Sequence, residues 1–221
     1  MNLVVTAGPT REHLDPVRFL SNPSTGKMGF ALAAEAARRG HAVTLVAGPV
    51  VQPTPAGVCR VDVVSARDML SAVRTALSAA CAAGPTVFIS TAAVADWRPA
   101  QCAKTKLKKD RMDGVLRLMR NPDILKTVRR AFAKARAAGT LRLVGFAAET
   151  DHVLAEAARK CRAKGLDFIV ANDVTEKGSG FGTDTNRVTF VFPDGALRRL
   201  PLQSKRLVAR RILEQLEKEQ A

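Results

Sequence analysis

The sequence predicts an α/β fold: a Rossmann-like, doubly wound, mainly parallel sheet flanked by helices, with a C-terminal β-hairpin and helix. Three observations carry this. Short apolar runs alternate with amphipathic helical ones through residues 1–172. Runs such as Val43-Thr44-Leu45-Val46 and Val87-Phe88-Ile89 show little polar alternation, as expected of strands covered by helices on both faces. Small and polar motifs sit just after these runs, where open α/β sheets take their ligands. The 221 residues, 47% hydrophobic and 25% charged, give one such unit an ample core. We divide 1–221 into an α/β core over 1–172 and a hairpin with terminal helix over 173–221.

Strands are predicted over 3–6, 42–47, 58–63, 86–90, 141–147 and 168–171, and helices over 26–40, 66–82, 123–138 and 152–164. The first strand breaks at Thr6-Ala7-Gly8-Pro9-Thr10. A polar loop then runs to Ser21-Asn22-Pro23-Ser24-Thr25, and Gly26-Lys27-Met28-Gly29 opens an Ala-rich helix. Backbone N–H groups at such a helix start, with the positive end of its dipole, suit phosphate oxygens. Arg11, Arg18 and Lys27 add cations, so an anionic small molecule is the first reading; an ordinary loop with a capped helix is the alternative. Two familiar phosphate motifs fail on spacing. A Walker loop would place Gly and a hydroxyl where Ser21 and Met28 stand. A dinucleotide fingerprint needs three glycines in one turn and an acid ending the second strand, which instead ends Leu45-Val46-Ala47-Gly48-Pro49.

The later strand ends carry further motifs. Thr91-Ala92-Ala93-Val94-Ala95-Asp96-Trp97-Arg98-Pro99 follows the strand over 86–90. Small Ala92 and Ala93 allow a ligand close to the backbone; Asp96 is placed to accept from a sugar or base, or to pair with Arg98. Lys104-Thr105-Lys106-Leu107-Lys108-Lys109 reads as a surface segment or as a flap drawn to polyphosphate. Asn121-Pro122-Asp123-Ile124 starts a helix, with Asn121 or Asp123 as its cap. Phe146, in Gly145-Phe146-Ala147-Ala148-Glu149-Thr150, either flanks a nucleobase or packs in the core. Lys160 and Lys164 share one helix face. Gly178-Ser179-Gly180-Phe181-Gly182 is read as a flexible loop leading to a strand, so not as a nucleotide turn. Pro193-Asp194-Gly195-Ala196 joins a hairpin over 188–192 and 197–202, and an amphipathic helix covers 203–218.

Composition narrows the function classes. The net charge of +15, from 35 Lys plus Arg against 20 Asp plus Glu, suggests nucleic acid. Many of these cations sit on helix faces, however, and aromatics are only 5% with no Tyr, which supplies a stacking platform poorly. A solvated basic surface is favoured, with no nucleic-acid partner. No apolar run reaches the roughly 20 residues of a membrane span, and Met1 leads directly into a strand; a cytoplasmic chain without membrane contact is expected. Cys59, Cys81, Cys102 and Cys161, and His13, His41 and His152, are scattered, which indicates no metal site and no disulfide framework.

The ordered motifs TAGPTRE, DPVRFLSNPSTGKMG, STAAVADWRP, KLKK, NPDI, GFAAET and GLDFIVANDV resemble those of the phosphopantothenate–cysteine ligase family, of the stand-alone bacterial type, over nearly the whole chain. The resemblance implies a CTP-dependent ligase of coenzyme A synthesis that joins 4′-phosphopantothenate to L-cysteine through an acyl-cytidylate, releasing pyrophosphate and CMP. It makes Asn22 and Lys106 catalytic. It puts Gly8, Ala92, Ala93, Asp96, Lys106, Asn121, Pro122, Asp123, Ile124, Phe146, Lys160 and Lys164 at the nucleotide, and Arg18, Ser24, Thr25, Gly26 and Lys27 at substrate phosphate. Arg18 would serve its own subunit or reach across a homodimer. Mg²⁺ is expected with CTP, and no flavin. A decarboxylase is fused ahead of this domain in many bacteria; here it is expected as a separate protein, or lost. A Rossmann oxidoreductase and a basic nucleic-acid-binding module are the rival readings.

Overall fold

The computed structural model describes residues 1–109 and 114–218. The chain opens with β1 (Asn2–Ala7), a small hairpin of β2 (Arg11–His13) and β3 (Phe19–Ser21), and α1 (Lys27–Arg38). Next come β4 (Ala42–Ala47), β5 (Val58–Asp62), α2 (Ala66–Ala83) and β6 (Thr86–Ser90). A ribbon of β7 (Trp97–Pro99) and β8 (Leu118–Arg120) precedes α3 (Ile124–Ala131) and α4 (Ala133–Ala137). Then follow β9 (Leu141–Glu149), α5 (Val153–Lys164) and β10 (Phe168–Asp173). The C-terminal part is β11 (Thr185–Asn186), β12 (Thr189–Val191), β13 (Leu197–Arg199), β14 (Gln203–Ser204) and α6 (Lys205–Lys218).

The main sheet has 8 strands in the order β13-β12-β10-β9-β6-β1-β4-β5. Strands β5, β4, β1, β6, β9 and β10 run parallel, and β12 and β13 extend one edge antiparallel. The parallel strands, taken in chain order, follow the doubly wound arrangement in which connections leave β1 and β6 in opposite directions. That divergence opens a crevice outside the carboxyl ends of both strands.

Neighbouring residues of β1 explain why its sequence lacks polar alternation. Val5 belongs to one buried cluster with Leu32 of α1 and Ile212 of α6, whereas Val4 belongs to a second with Met69 and Val73 of α2 and Val128 of α3. Both valines are fully buried, on opposite faces. Full burial of such a side chain stabilises by about 1.5–3 kcal/mol, so a polar residue at either place would oppose one helical layer.

Three elements depart from expectation. The polar loop after β1 contains the β2–β3 hairpin, in register Arg11↔Ser21 to His13↔Phe19. The helix expected over 123–138 breaks at Phe132 (φ −111, ψ 31), which packs against the core on the α2 side. The β7–β8 ribbon carries no sequence signal because its strands are short and largely exposed. Four residues of the segment between them, 110–113, lie outside the described residues.

Buried Asp15 organises the hairpin loop. Its Oδ1 accepts from the amides of Val17 and Arg18, both at 2.8 Å. Its Oδ2 accepts from Arg18 Nε at 3.1 Å and Nη2 at 2.6 Å, and from the amide of Leu107 at 3.1 Å. The Arg18 guanidinium, ahead of the amides and against the cost of burial, holds this carboxyl well below the usual carboxylate range. On the opposite side of the fold, buried Glu35 accepts from Arg38 and Arg39, and Arg39 continues to Glu217 of α6 at 2.5 Å. Arg38 first, then Arg39, pull the Glu35 carboxyl down to about 2, against burial.

Two outcomes are expected. Because Glu35 titrates lower folded than unfolded, its contribution is complete above the unfolded value and lost as pH falls through about 2. Denaturation midpoints of Glu35→Gln should therefore depend less steeply on pH between about 5 and 2 than those of the wild type; parallel profiles would refute this role. At Gly29 an added Cβ would lie 2.5 Å from Ala7 Cβ and 2.6 Å from Thr91 Oγ1. Gly29→Ala should cost about 1–3 kcal/mol in urea denaturation, and a wild-type midpoint would contradict the close approach of α1 to β1.

Candidate active site

The crevice is built from loops that follow β1 and β6. The amide of Ala93 donates to Gly8 O at 2.9 Å, and Pro9 and Ala93 form an isolated parallel bridge. Gly8 takes φ 79, and a Cβ there would meet Val50 Cγ1 at 2.9 Å. Gly26 caps α1 in the left-handed region (φ 77), and no side chain caps this helix. The helices α2 and α3, in contrast, are capped by Ser65 and Asp123. The first turn of α1 thus keeps backbone donors available to an anion.

Two cavities flank this junction and share Phe146. The first is lined by the turn Ser24, Thr25, Gly26 and Lys27, by Met28, Gly29, Thr91, Ala148 and Asn172, and by Gly180, Phe181, Asn186 and Lys205. The second, of about 180 Å³, is lined by Ala92, Asp96, Asn121, Pro122, Asp123, Ile124 and Lys164, with Ser90, Val94, Ala95 and Leu125. The residues expected at substrate phosphate and those expected at the nucleotide therefore fall largely into separate, adjoining spaces.

Asn22 stands at the junction: its Nδ2 donates to Ala93 O at 2.9 Å, and it lines neither cavity. Asn121 staples two loops, donating from Nδ2 to Ala95 O at 2.8 Å and accepting from Arg98 Nη1 at 3.0 Å. Arg98 is thereby engaged, so the alternative pairing of Asp96 with Arg98 does not occur; the Asp96 carboxylate has no partner among the described residues. Asp123 caps α3 through the amide of Lys126 at 3.0 Å, and its other oxygen meets Lys164 Nζ at 3.1 Å. Lys160 reaches Glu149 at 2.5 Å. Lys160 thus points to the end of β9 and Lys164 to the start of α3. Lys27 donates to Asp184 Oδ1 at 2.7 Å and to Gly182 O at 3.1 Å.

Several expected residues lie outside both cavities. Gly8, Ala93 and Lys160 line neither, and Arg18 is bound to Asp15 and to Leu107 O at 2.9 Å. Lys106 is exposed on the flap, one residue before the Leu107 amide that Asp15 holds. Sequence reasoning missed the loop over 178–182, which closes the first cavity, and Asn186 and Lys205 with it. No local motif marks a buried lysine that starts a helix; only the fold brings it to this wall. At the end of β4, where a dinucleotide site would place its ribose acid, Gly48 instead packs against Pro9, with an added Cβ only 1.7 Å from Pro9 O.

The strand order and the paired cavities at the divergence define a doubly wound α/β domain with its cavities outside the carboxyl ends of its strands. The chain belongs to the DNA/pantothenate metabolism flavoprotein C-terminal domain family, whose model matches residues 1–220. It is 45% identical over 218 residues to the coenzyme A biosynthesis bifunctional protein CoaBC of Vibrio vulnificus, covering 98% of this chain and 52% of that one. With CoaBC of Bacillus subtilis it shares 45% identity over 216 residues, or 97% of this chain and 50% of that one. The chain spans about half the length of the curated relatives it matches. A crystal structure of the C-terminal domain of CoaBC superposes with a TM-score of 0.79 at 41% identity, over 99% of this chain and 94% of that one.

The cap at α3 is testable apart from catalysis. Asp123→Ala should lower stability by about 0.5–2 kcal/mol, and Asp123→Asn, which keeps an acceptor, should recover most of it. Equal urea midpoints for the wild type and the Ala variant would remove the cap from the account.

Proposed function

We propose that this chain is a phosphopantothenate–cysteine ligase that joins 4′-phosphopantothenate and L-cysteine with CTP, residues 1–221 acting as one unit. The single observation that carries the reading is the sorting of two motif sets into two cavities that meet at Phe146, with Asn22 tied to Ala93 between them. Such a reaction needs two anions held in line more than it needs an enzymic nucleophile.

In the activation step a carboxylate oxygen of phosphopantothenate attacks the α-phosphorus of CTP. A P–O bond to pyrophosphate breaks, leaving an acyl-cytidylate. The cysteine amine then attacks the acyl carbon, the C–O bond to CMP breaks, and the amine proton is lost. The first cavity holds the phosphopantothenate phosphate at the uncapped start of α1, near Lys27. The second takes the nucleotide, where unpaired Asp96 accepts from sugar or base and Lys164 supplies positive charge. Asn22 orients the reacting carboxyl. Lys106 closes on the triphosphate, its register set by Asp15 and Arg18, which grip the Leu107 amide and carbonyl.

Mg²⁺ accompanies CTP as part of the substrate complex; no group of three His, Cys, Asp or Glu side chains among the described residues gathers to hold a metal. A homodimer fits the surface. Strand β2 lies against β7, and Phe19, Trp97, Leu118 and Met119 expose apolar faces on these ribbons at 40–45%. Arg18, its guanidinium held by Asp15 and the Leu107 carbonyl, serves the flap of its own subunit. The product would pass to a phosphopantothenoylcysteine decarboxylase, in the cytoplasm.

Pyrophosphate release is the direct assay. It should require CTP and phosphopantothenate together, with ATP a poorer donor, and should precede cysteine addition; release indifferent to phosphopantothenate would refute the reading. Asn22→Asp should accumulate acyl-cytidylate. Lys106→Ala should slow pyrophosphate release by about 10²–10³-fold, the scale of one preorganised donor; an unchanged rate would move the role to a neighbouring lysine.

A further inference from the structure

We infer that Lys205, at the start of α6, is a phosphate-recognition residue of the first cavity, and that the loop it holds over 178–184 is a built wall of that cavity. The inference rests on the ligase reading above and assigns a residue and a loop that the motif comparison leaves without a role.

Lys205 is only 7% exposed, yet it lines the cavity together with the 24–27 turn. Its ammonium donates to Gly180 O at 2.9 Å and to Thr183 O at 2.6 Å. Carbonyls satisfy donors but do not cancel a charge, and an ammonium carries a third N–H. Among the described residues no carboxylate forms an ion pair with it. The nearest acid, Asp184, is spent on Lys27 at 2.7 Å and is itself 87% exposed. Two cations thus border one cavity with a single, solvated carboxylate between them. Burying an ammonium without an anion is costly, and a phosphomonoester dianion entering beside the α1 turn would neutralise both. Burial, and then Lys27, push Lys205 below the usual lysine range, partly offset by Asp184.

The loop is ordered by buried groups. Asn186 Oδ1 accepts from Ser179 Oγ at 2.6 Å and from the Gly180 amide at 3.2 Å, and the Lys205 amide donates to Asp184 O at 2.9 Å. Gly180 adopts φ 90, and a Cβ there would crowd Val174 Cα at 3.1 Å. Lys205 therefore does two things at once: it fixes the wall, and it puts a charge behind it.

The test compares binding of 4′-phosphopantothenate and unphosphorylated pantothenate, by titration calorimetry on the full chain. Lys205→Met should weaken phosphopantothenate about 10–100-fold, the scale of a charge-assisted hydrogen bond. Pantothenate should bind within about threefold of wild type, so that the preference for the phosphorylated ligand collapses. Should Lys205→Met not fold, Lys205→Gln, which keeps a donor for the loop carbonyls, supplies the same comparison. Equal losses for both ligands would make Lys205 a loop clamp and overturn the inference alone. Failure of the wild type to bind either ligand would overturn the ligase reading and the inference with it.

Discussion

The divergence of the connections that leave the paired strands β1 and β6, stitched by contacts between the loops that follow them, is the constraint on which the site depends. Pro9 bridges Ala93, Ala93 N donates to Gly8 O, and Ala92 N donates to Thr6 Oγ1 at 3.2 Å. Thr10 Oγ1 accepts from Ala95 N at 3.0 Å, and Asn121 carries the chain of contacts on to Ala95 O. The loops after two strands are thereby held as one surface. Small residues are needed along it, since Gly8, Gly29 and Gly48 all approach neighbours too closely for a Cβ. A cavity on either side of this seam follows from the topology, and Asn22 is tied to the seam itself.

Charge is arranged around the seam with similar economy. Much of the +15 excess is spread over helix surfaces, where pairs such as Arg159 with Glu156 and Arg211 with Glu214 partly balance it. At the cavities Lys27 and Lys164 are likewise paired, with Asp184 and Asp123, whereas Lys205 is held by carbonyls. Lys27, Lys164 and Lys205 border them, and the flap lysines stand nearby on a segment anchored by buried Asp15. Local positive charge beside an uncapped helix start favours anions without any local nucleophile.

The parallel core was legible because its strands are buried on both faces, which leaves uninterrupted apolar runs such as Val87-Phe88-Ile89. Residues of the second cavity such as Ala92 and Asp96 could be placed at a strand end from the sequence because they follow β6 closely, and the Asp123 cap is a local fact; that Asp96 stays free of Arg98 could not be read there. The β2–β3 hairpin was not, since its strands have 3 residues each and its order comes from Asp15 binding Leu107, 92 positions away. The loop over 178–182 looked flexible for the same kind of reason. Its glycines carry no signal of what packs on them, and the residues that order it, Asn186 and Lys205, come later in the chain. Contacts between distant residues leave no periodicity to read.

The central claim is that a substrate carboxylate in one cavity is set against the α-phosphorus of a nucleotide in the other. Oxygen-isotope transfer tests this most directly. With phosphopantothenate labelled by ¹⁸O in its carboxylate, turnover with CTP and cysteine should leave one label in the phosphate of CMP, because the acyl C–O bond breaks in the second step. Label found in pyrophosphate, or CMP without label, would mean that the carboxylate never bonded to the α-phosphorus, and the account would fail.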